Sequence, residues 1–188
     1  MKKKSLLSIF LLAIFLFSMT TVAFAESWYY VGVPVIRQQK TQWCWAASGE
    51  MAGKAVNPSS TRTQADGVYY VTGGYENYPN TSNAAASVAT YVSKNQKRFY
   101  VDRGTWTINS IRSEIMDKQS PLITLGGYYD YYGNRNGGHF VVIDAVYEYS
   151  NTLRYVDPWD ATTHWCSYQA FKDGSYNSRK YEETVYGR

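Results

Sequence analysis

An α+β domain, in which a helix headed by a cysteine packs against a largely antiparallel sheet, is predicted by two stretches of this 188-residue chain and by its size. The first stretch is Gln38-Gln39-Lys40-Thr41-Gln42-Trp43-Cys44-Trp45-Ala46-Ala47-Ser48, which continues through Met51, Ala52 and Ala55 without a proline until Asn57-Pro58. Small and apolar residues of this kind favour helix, and the proline ends it. The second is a pair of apolar runs, His139-Phe140-Val141-Val142-Ile143 and Leu153-Arg154-Tyr155-Val156-Asp157, with Ser150-Asn151-Thr152 between them. Such runs around a turn signal read as an antiparallel hairpin. Without an N-terminal leader, about 163 residues remain, enough for one domain with a substantial core but not two.

Residues 1–25 form that leader. Lys2, Lys3 and Lys4 precede an apolar stretch from Leu6 to Phe17, and Ala23-Phe24-Ala25 is a small-x-small cleavage signal, the pattern of a secretory signal peptide. The apolar run is short for a bilayer span. The expectation is therefore a protein cleaved after Ala25 and secreted, with one domain over residues 26–188 and no stable membrane insertion after cleavage.

Glu26 to Arg37 reads as an extended edge segment. Residues 57 to 82 are polar and turn-rich, with short helical turns around Gln64 to Val71. Thr81-Ser82-Asn83 offers caps for a helix from Ala84 to Lys94, where Ala85, Val88 and Val92 recur at helical spacing. Phe99 to Asp102 is a short strand. Thr107 caps a helix from Ile108 to Lys118 whose Ile108, Ile111 and Ile115 face the core and whose Arg112, Glu114 and Lys118 face solvent. After Pro121, Leu122 to Leu125 begins the sheet that carries His139. Gly126 to Gly138, rich in glycine and tyrosine, reads as a long loop, either part of a substrate groove or a plain hairpin connection. The tail holds a short helix at Tyr168 to Phe171 and a last strand at Lys180 to Tyr186, without a functional reading.

The formal charge of +4 is carried mostly by the leader, since residues 26–188 hold 16 basic and 15 acidic residues. No basic cluster points to nucleic acid. The 19 tyrosines and six tryptophans suit strands and core first, and a carbohydrate or peptide groove second.

Cys44 and Cys166 are the only cysteines. In a secreted chain two cysteines suggest a disulfide, but that would leave the residues around Cys44 unexplained. A zinc site built from Cys44, Cys166, His139 and His164 matches none of the usual ligand spacings, and neither a metal nor a cofactor is expected. At a helix N-terminus, unpaired backbone N–H groups and the helix dipole favour an anion, and the thiolate is the reactive form of a cysteine. Nucleophilic chemistry there also needs a base, a group that orients it, and donors for an oxyanion. The hairpin would bring His139 and Asp157 together. His164 lacks the glycine pair that precedes His139. Asp144 would point to the opposite face of the strand, about 16 Å from His139, and Asp160 reads as a turn residue.

Gln38 six residues before Cys44, the Cys-Trp-Ala-x-Ser run, a strand histidine and a downstream aspartate together resemble the papain-like cysteine peptidases, over roughly residues 33 to 160. Within that superfamily the chain is most similar to the compact bacterial branch of bacteriocin-leader-peptidase-like and secreted effector-peptidase-like enzymes. The resemblance implies Cys44 as nucleophile, His139 as general base and then acid, Gln38 as oxyanion donor beside the Cys44 N–H, and Asp157 as the group that orients His139. Two positions depart from the plant enzymes: they carry asparagine at the place of Asp157, and a small residue at the place of Trp43. The expected activity is peptide-bond hydrolysis on a protein or peptide substrate. A transglutaminase-like acyl transfer by the same triad, or a non-catalytic aromatic-rich extracellular binding module, are the other readings. Glu26 to Gln38 is too short for a large inhibitory propeptide, so the enzyme is either competent once secreted or restrained by a separate proteinaceous inhibitor.

Overall fold

The computed structural model describes residues 27–188, and the expected signal peptide lies outside the described residues. The elements run β1 (Trp28–Tyr30), α1 (Cys44–Val56), α2 (Gln64–Thr72), α3 (Ser82–Val92), β2 (Phe99–Asp102), α4 (Ile108–Met116), β3 (Leu122–Tyr129), β4 (Arg135–Tyr147), β5 (Thr152–Asp157), β6 (Thr162–Ser167), α5 (Tyr168–Asp173) and β7 (Lys180–Gly187). This is the expected α+β class. The strands form one seven-stranded sheet in the order β2-β7-β3-β4-β5-β6, and every pairing is antiparallel. β1 adds to the far end of β4, pairing Trp28 with Tyr147 and Tyr30 with Ala145, beyond the reach of β3.

Local chemistry explains the helix starts. Thr63 and Asp66 form a capping box on α2, and the side chains of Thr81, Thr107 and Ser167 accept N–H groups at the heads of α3, α4 and α5. α1 differs. Trp43 stands at its N-cap without a side-chain bond to the helix, and no acidic residue occupies its first turn.

Residues 44 to 53 of α1 are all buried, so this helix is enclosed on every side rather than amphipathic. α3 lies against it closely enough that a Cβ at Gly49 would sit 2.7 Å from Val88 Cβ, and one at Gly53 2.6 Å from Val92 Cβ. Those two glycines set the distance between the helices. One core layer joins Trp45, Met51, Val88 and Val92 to Phe140, Val142 and Val156 on the sheet. The opposite sheet face packs Val141, Ile143, Leu153 and Tyr155 against Ile111, Ile115 and Phe171. Phe140 to Ile143 is a continuous apolar run because both faces of β4 are covered.

Two expectations need correction. Residues 126 to 138 are not a long loop: β3 extends to Tyr129 and β4 begins at Arg135, with Gly126 paired to His139 and Gly127 to Gly138. Only Asp130 to Asn134 turns, held by the Asp130 carboxylate accepting the N–H groups of Tyr132 and Asn134. β7 pairs with the other edge of β3, so Gly126 and Gly127 are inside the sheet, where tertiary hydrogen bonding overrides their weak strand preference. Glu114 also does not face solvent. It is fully buried, with one carboxylate oxygen bonded to Lys118 Nζ at 2.8 Å, the cation one helical turn later allowing a carboxylate on the inner face.

Candidate active site

Cys44 is the first residue of α1, 9 % exposed, and opens on a cleft of about 410 Å³ shared with His139, Asp157, Tyr128, Trp159 and Arg179. Its backbone N–H belongs to the unpaired first turn of the helix. Trp43 does not crowd the cleft. It is buried, and its indole N–H donates to the Glu76 carbonyl at 2.8 Å, while that of Trp45 donates to the Tyr78 carbonyl at 3.2 Å. The two indoles strap the 76–78 segment beside the head of α1.

His139 lies in β4 opposite Gly126. Its Nε2 is 2.6 Å from Asp157 Oδ1, and both side chains are buried. The Cys44 thiol shares the cleft with this ring, and with Nε2 occupied by the carboxylate, Nδ1 is the nitrogen left for sulfur. A carboxylate on Nε2–H fixes the tautomer and leaves Nδ1 as acceptor for the thiol proton. Burial alone would lower the imidazole pKa, but the Asp157 carboxylate and the neighbouring Cys44 outweigh it and raise the value above its ordinary 6.5.

Asp157 ends β5, and each of its oxygens is committed. Oδ1 accepts His139 and the Trp159 N–H, the latter at 2.9 Å. Oδ2 accepts both Arg179 Nη1 and Nη2 at 3.0 Å. Burial pushes the carboxyl upward, but the His139 bond and charge, the Trp159 N–H and the Arg179 cation hold it at about 2.

Gln38 reaches this group through the backbone, its N–H donating to the Pro158 carbonyl at 2.8 Å, which ties the segment before α1 to the turn after Asp157. Its side-chain Nε2 donates to the carbonyls of Lys40 and Thr41, both at 2.9 Å, and Oε1 is buried without a partner. Two carbonyl acceptors identify the nitrogen. The amide is therefore fixed inside the loop leading to Cys44, with both of its N–H groups engaged.

The remaining candidates sit elsewhere. Asp144 is buried against Arg154, at 3.0 and 2.8 Å, away from His139. Asp160 accepts from Thr162 and pairs with His164 at 2.9 Å, and the His164 ring stacks on Tyr155. Both cysteines are free. Cys166 packs beside Tyr155 and Phe171, and burial pushes its thiol up to about 11.

Arg179 has no signal in the sequence, because a tight turn and the sheet place it. Gly174, at φ +81°, lies where a Cβ would come within 3.0 Å of the Arg179 backbone, and a Cβ on Gly126 would be 3.0 Å from Arg179 Cβ. That turn and the start of β7 bring the guanidinium under Asp157.

No curated protein matches the chain. Among solved structures it is similar to a double-glycine-motif protease from an AMS/PCAT transporter in complex with the leader peptide, with 14% identity over 85% of this chain and 94% of that one and a TM-score of 0.51. It also matches the interpain A cysteine protease of Prevotella intermedia, at 14% identity over 85% of this chain and 94% of that one and a TM-score of 0.49. The model of the Peptidase_C39 like family matches residues 30–184, which takes in every residue of the cleft. The chain belongs to the Peptidase_C39 like family and is a cysteine peptidase.

Proposed function

We propose that this protein is a secreted endopeptidase working through a Cys44–His139–Asp157 triad, with Gln38 and the Cys44 N–H as oxyanion donors. The observation that carries the reading is the convergence of Cys44, at the head of α1, with the buried His139–Asp157 hydrogen bond of 2.6 Å in one cleft. His139 Nδ1 takes the thiol proton, and the thiolate attacks a substrate carbonyl. The resulting oxyanion lies toward the head of α1, where it draws the Cys44 N–H and one Gln38 N–H away from its neutral carbonyl partner, since an anionic acceptor forms the stronger bond. Collapse expels the amine with the proton from His139 and leaves a thioester, which water clears with His139 again as base. Asp157 holds the imidazolium, and Arg179 holds Asp157.

Substrates are proteins or peptides. The double-glycine-motif protease, crystallised with a leader peptide, is in keeping with this. Among the described residues no helix is long and apolar enough to cross a membrane, and N-terminal sequencing of the secreted product, expected to begin at Glu26, tests the leader.

The deciding experiment is mass spectrometry after treatment with a thiol-selective epoxide. One adduct is expected, on Cys44, and it should be lost in His139→Ala. Labelling of Cys166 instead, or labelling of Cys44 that ignores His139, would overturn the triad. Repeating turnover with a primary amine present separates hydrolysis from acyl transfer, since a conjugate would point to the latter.

A further inference from the structure

Beside the catalytic cleft, and separated from it only by Thr41 and Trp159, lies a second depression of about 450 Å³, lined by Arg37, Gln38, Gln39, Lys40, Thr41, Asn77 and Trp159. We propose that it is a subsite for a carboxylate-bearing side chain of the peptide substrate, flanking the bond to be cut. This rests on the peptidase reading above and adds a substrate class to it.

Charge is the first argument. Among the described residues, Arg37 and Lys40 line the depression and no acidic residue does. Neither cation has a carboxylate within 4.0 Å among the described residues, although Arg103, Lys118, Arg135, Arg154 and Arg179 all do. The carboxylate of Asp160, whose backbone touches Arg37, is otherwise engaged. Asp160 gives Arg37 only its backbone carbonyl, at 3.1 Å, while its carboxylate serves Thr162 and His164.

Position is the second. Both cations are already held: Arg37 by the Asp160 carbonyl, Lys40 by the Tyr75 carbonyl and by the face of the Trp43 ring, 4.7 Å from its centroid. Anchored side chains lose less conformational freedom when a ligand arrives, so more of the attraction is kept as binding. Trp159, 56 % exposed, offers an apolar wall to the stem of the ligand. Asn77 is fixed by the Gln42 N–H and the Thr41 hydroxyl, which makes the opposite rim polar and uncharged.

Connection to the chemistry is the third. Arg37 and Lys40 flank Gln38, and the Lys40 carbonyl holds the Gln38 side-chain amide. A carboxylate drawn to this five-residue segment would lie against the loop that carries the oxyanion donor. A substrate segment crossing Thr41 and Trp159 would therefore be read for charge next to its scissile carbonyl.

The test uses the full-length secreted protein and a library of fluorogenic peptides in which glutamate, glutamine or lysine is placed in turn at each position on both sides of the cleaved bond. Expected is a single side of the bond where glutamate raises kcat/KM about fivefold over glutamine and lysine lowers it, a size typical of partly exposed ion pairs, with the ratio shrinking at about 0.5 M salt. In Arg37→Gln/Lys40→Gln the glutamate-to-glutamine ratio should fall to about one, whatever the absolute rate, and in Arg37→Glu/Lys40→Glu the preference should turn toward lysine. Cleavage with ratios near one at every position, or a preference that survives the double substitution, overturns the subsite and leaves the peptidase reading standing. No cleavage of any peptide, together with no epoxide adduct on Cys44, removes the peptidase reading and the subsite with it.

Discussion

The chain has two cysteines and two histidines, and the fold divides each pair between two surroundings. In the cleft, His139 and Asp157 expose 8% and 7% of their side chains, with a thiol on one side and a guanidinium on the other. On β6 and the turn before it, His164 and Asp160 make a similar hydrogen-bonded pair at 2.9 Å but expose 26% and 41%, and the nearby Cys166 is packed among aromatic rings. The side chains are the same and the consequences differ. A buried carboxylate with both oxygens satisfied holds an imidazole in one orientation and one tautomer, whereas an exposed one competes with water and is screened. Reactivity follows from what each group is packed against.

The strongest way to break this contrast is to delete one member from each surrounding. Cys44→Ala and His139→Ala should each lower kcat/KM at least about 10⁴-fold, because members of a catalytic unit fail together. Cys166→Ala should leave the rate unchanged and cost about 1 to 2 kcal/mol of stability through a small core void, read from denaturant midpoints. A rate loss in the Cys166 variant would mean that the two surroundings are coupled.

Next in size is Gln38→Ala. Removal of one oxyanion donor costs about 2.7 to 4 kcal/mol of transition-state stabilisation, so kcat should fall by about 10² to 10³ with KM little changed. The burial of Gln38 and its bonds to the Lys40 and Thr41 carbonyls make folding a necessary control, and the far-ultraviolet spectrum should be that of the parent. An unaltered kcat would mean that the amide only shapes the loop.

The helix start at Cys44, the strand of His139, the return of β5 to Asp157 and the extent of α1 were all legible in the sequence, because each rests on local chemistry: a proline stop, an apolar run, a turn. What escaped was set by distant contact. Gly126 and Gly127 look like loop until β7 is known to pair beside them. Glu114 looks like surface until the core packed against α4 is seen to enclose it, with only the half-exposed Lys118 reaching it from the rim. Arg179 is an ordinary tail cation until the Gly174 turn brings it to Asp157. The engagement of both Gln38 N–H groups is local by contrast, their acceptors being the Lys40 and Thr41 carbonyls two and three residues on, yet the six-residue spacing to Cys44 says nothing about it.

Arg179 yields a prediction about pH. Asp157, held at about 2 against an ordinary 3.8, contributes stability that is fully present above the ordinary value and is lost as pH falls from there through about 2. The contribution is on the order of 2 kcal/mol. Arg179→Lys keeps the charge but gives up the two-pronged contact with Oδ2, so the acid unfolding midpoint should rise by a few tenths of a pH unit and kcat/KM should fall about tenfold. His139 has the opposite sign: its pKa is raised, so its contribution is complete below 6.5 and declines as pH climbs through the folded value. Loss of activity in Arg179→Lys without any movement of the acid midpoint would show that the guanidinium acts on substrate instead of through Asp157.

The smallest effect is expected at His164, and its smallness is informative. The ring stacks on Tyr155, at 5.0 Å between centroids, and bonds Asp160 and the Thr162 hydroxyl, so it has enough contacts to matter structurally. Yet the Asp160 carboxylate also accepts the Thr162 N–H at 2.9 Å, which keeps the turn closed when the imidazole is removed. An exposed contact of this kind is worth no more than about 1 kcal/mol. His164→Ala should therefore lower stability by no more than about 1 kcal/mol, change kcat/KM less than about twofold, and leave the pH profile of kcat/KM where it was. The profile is the discriminating readout, since loss of packing lowers the fraction folded without moving the titration of His139. A shifted limb in this variant would mean that the β6 histidine is felt in the cleft, and that burial alone does not separate the two histidines.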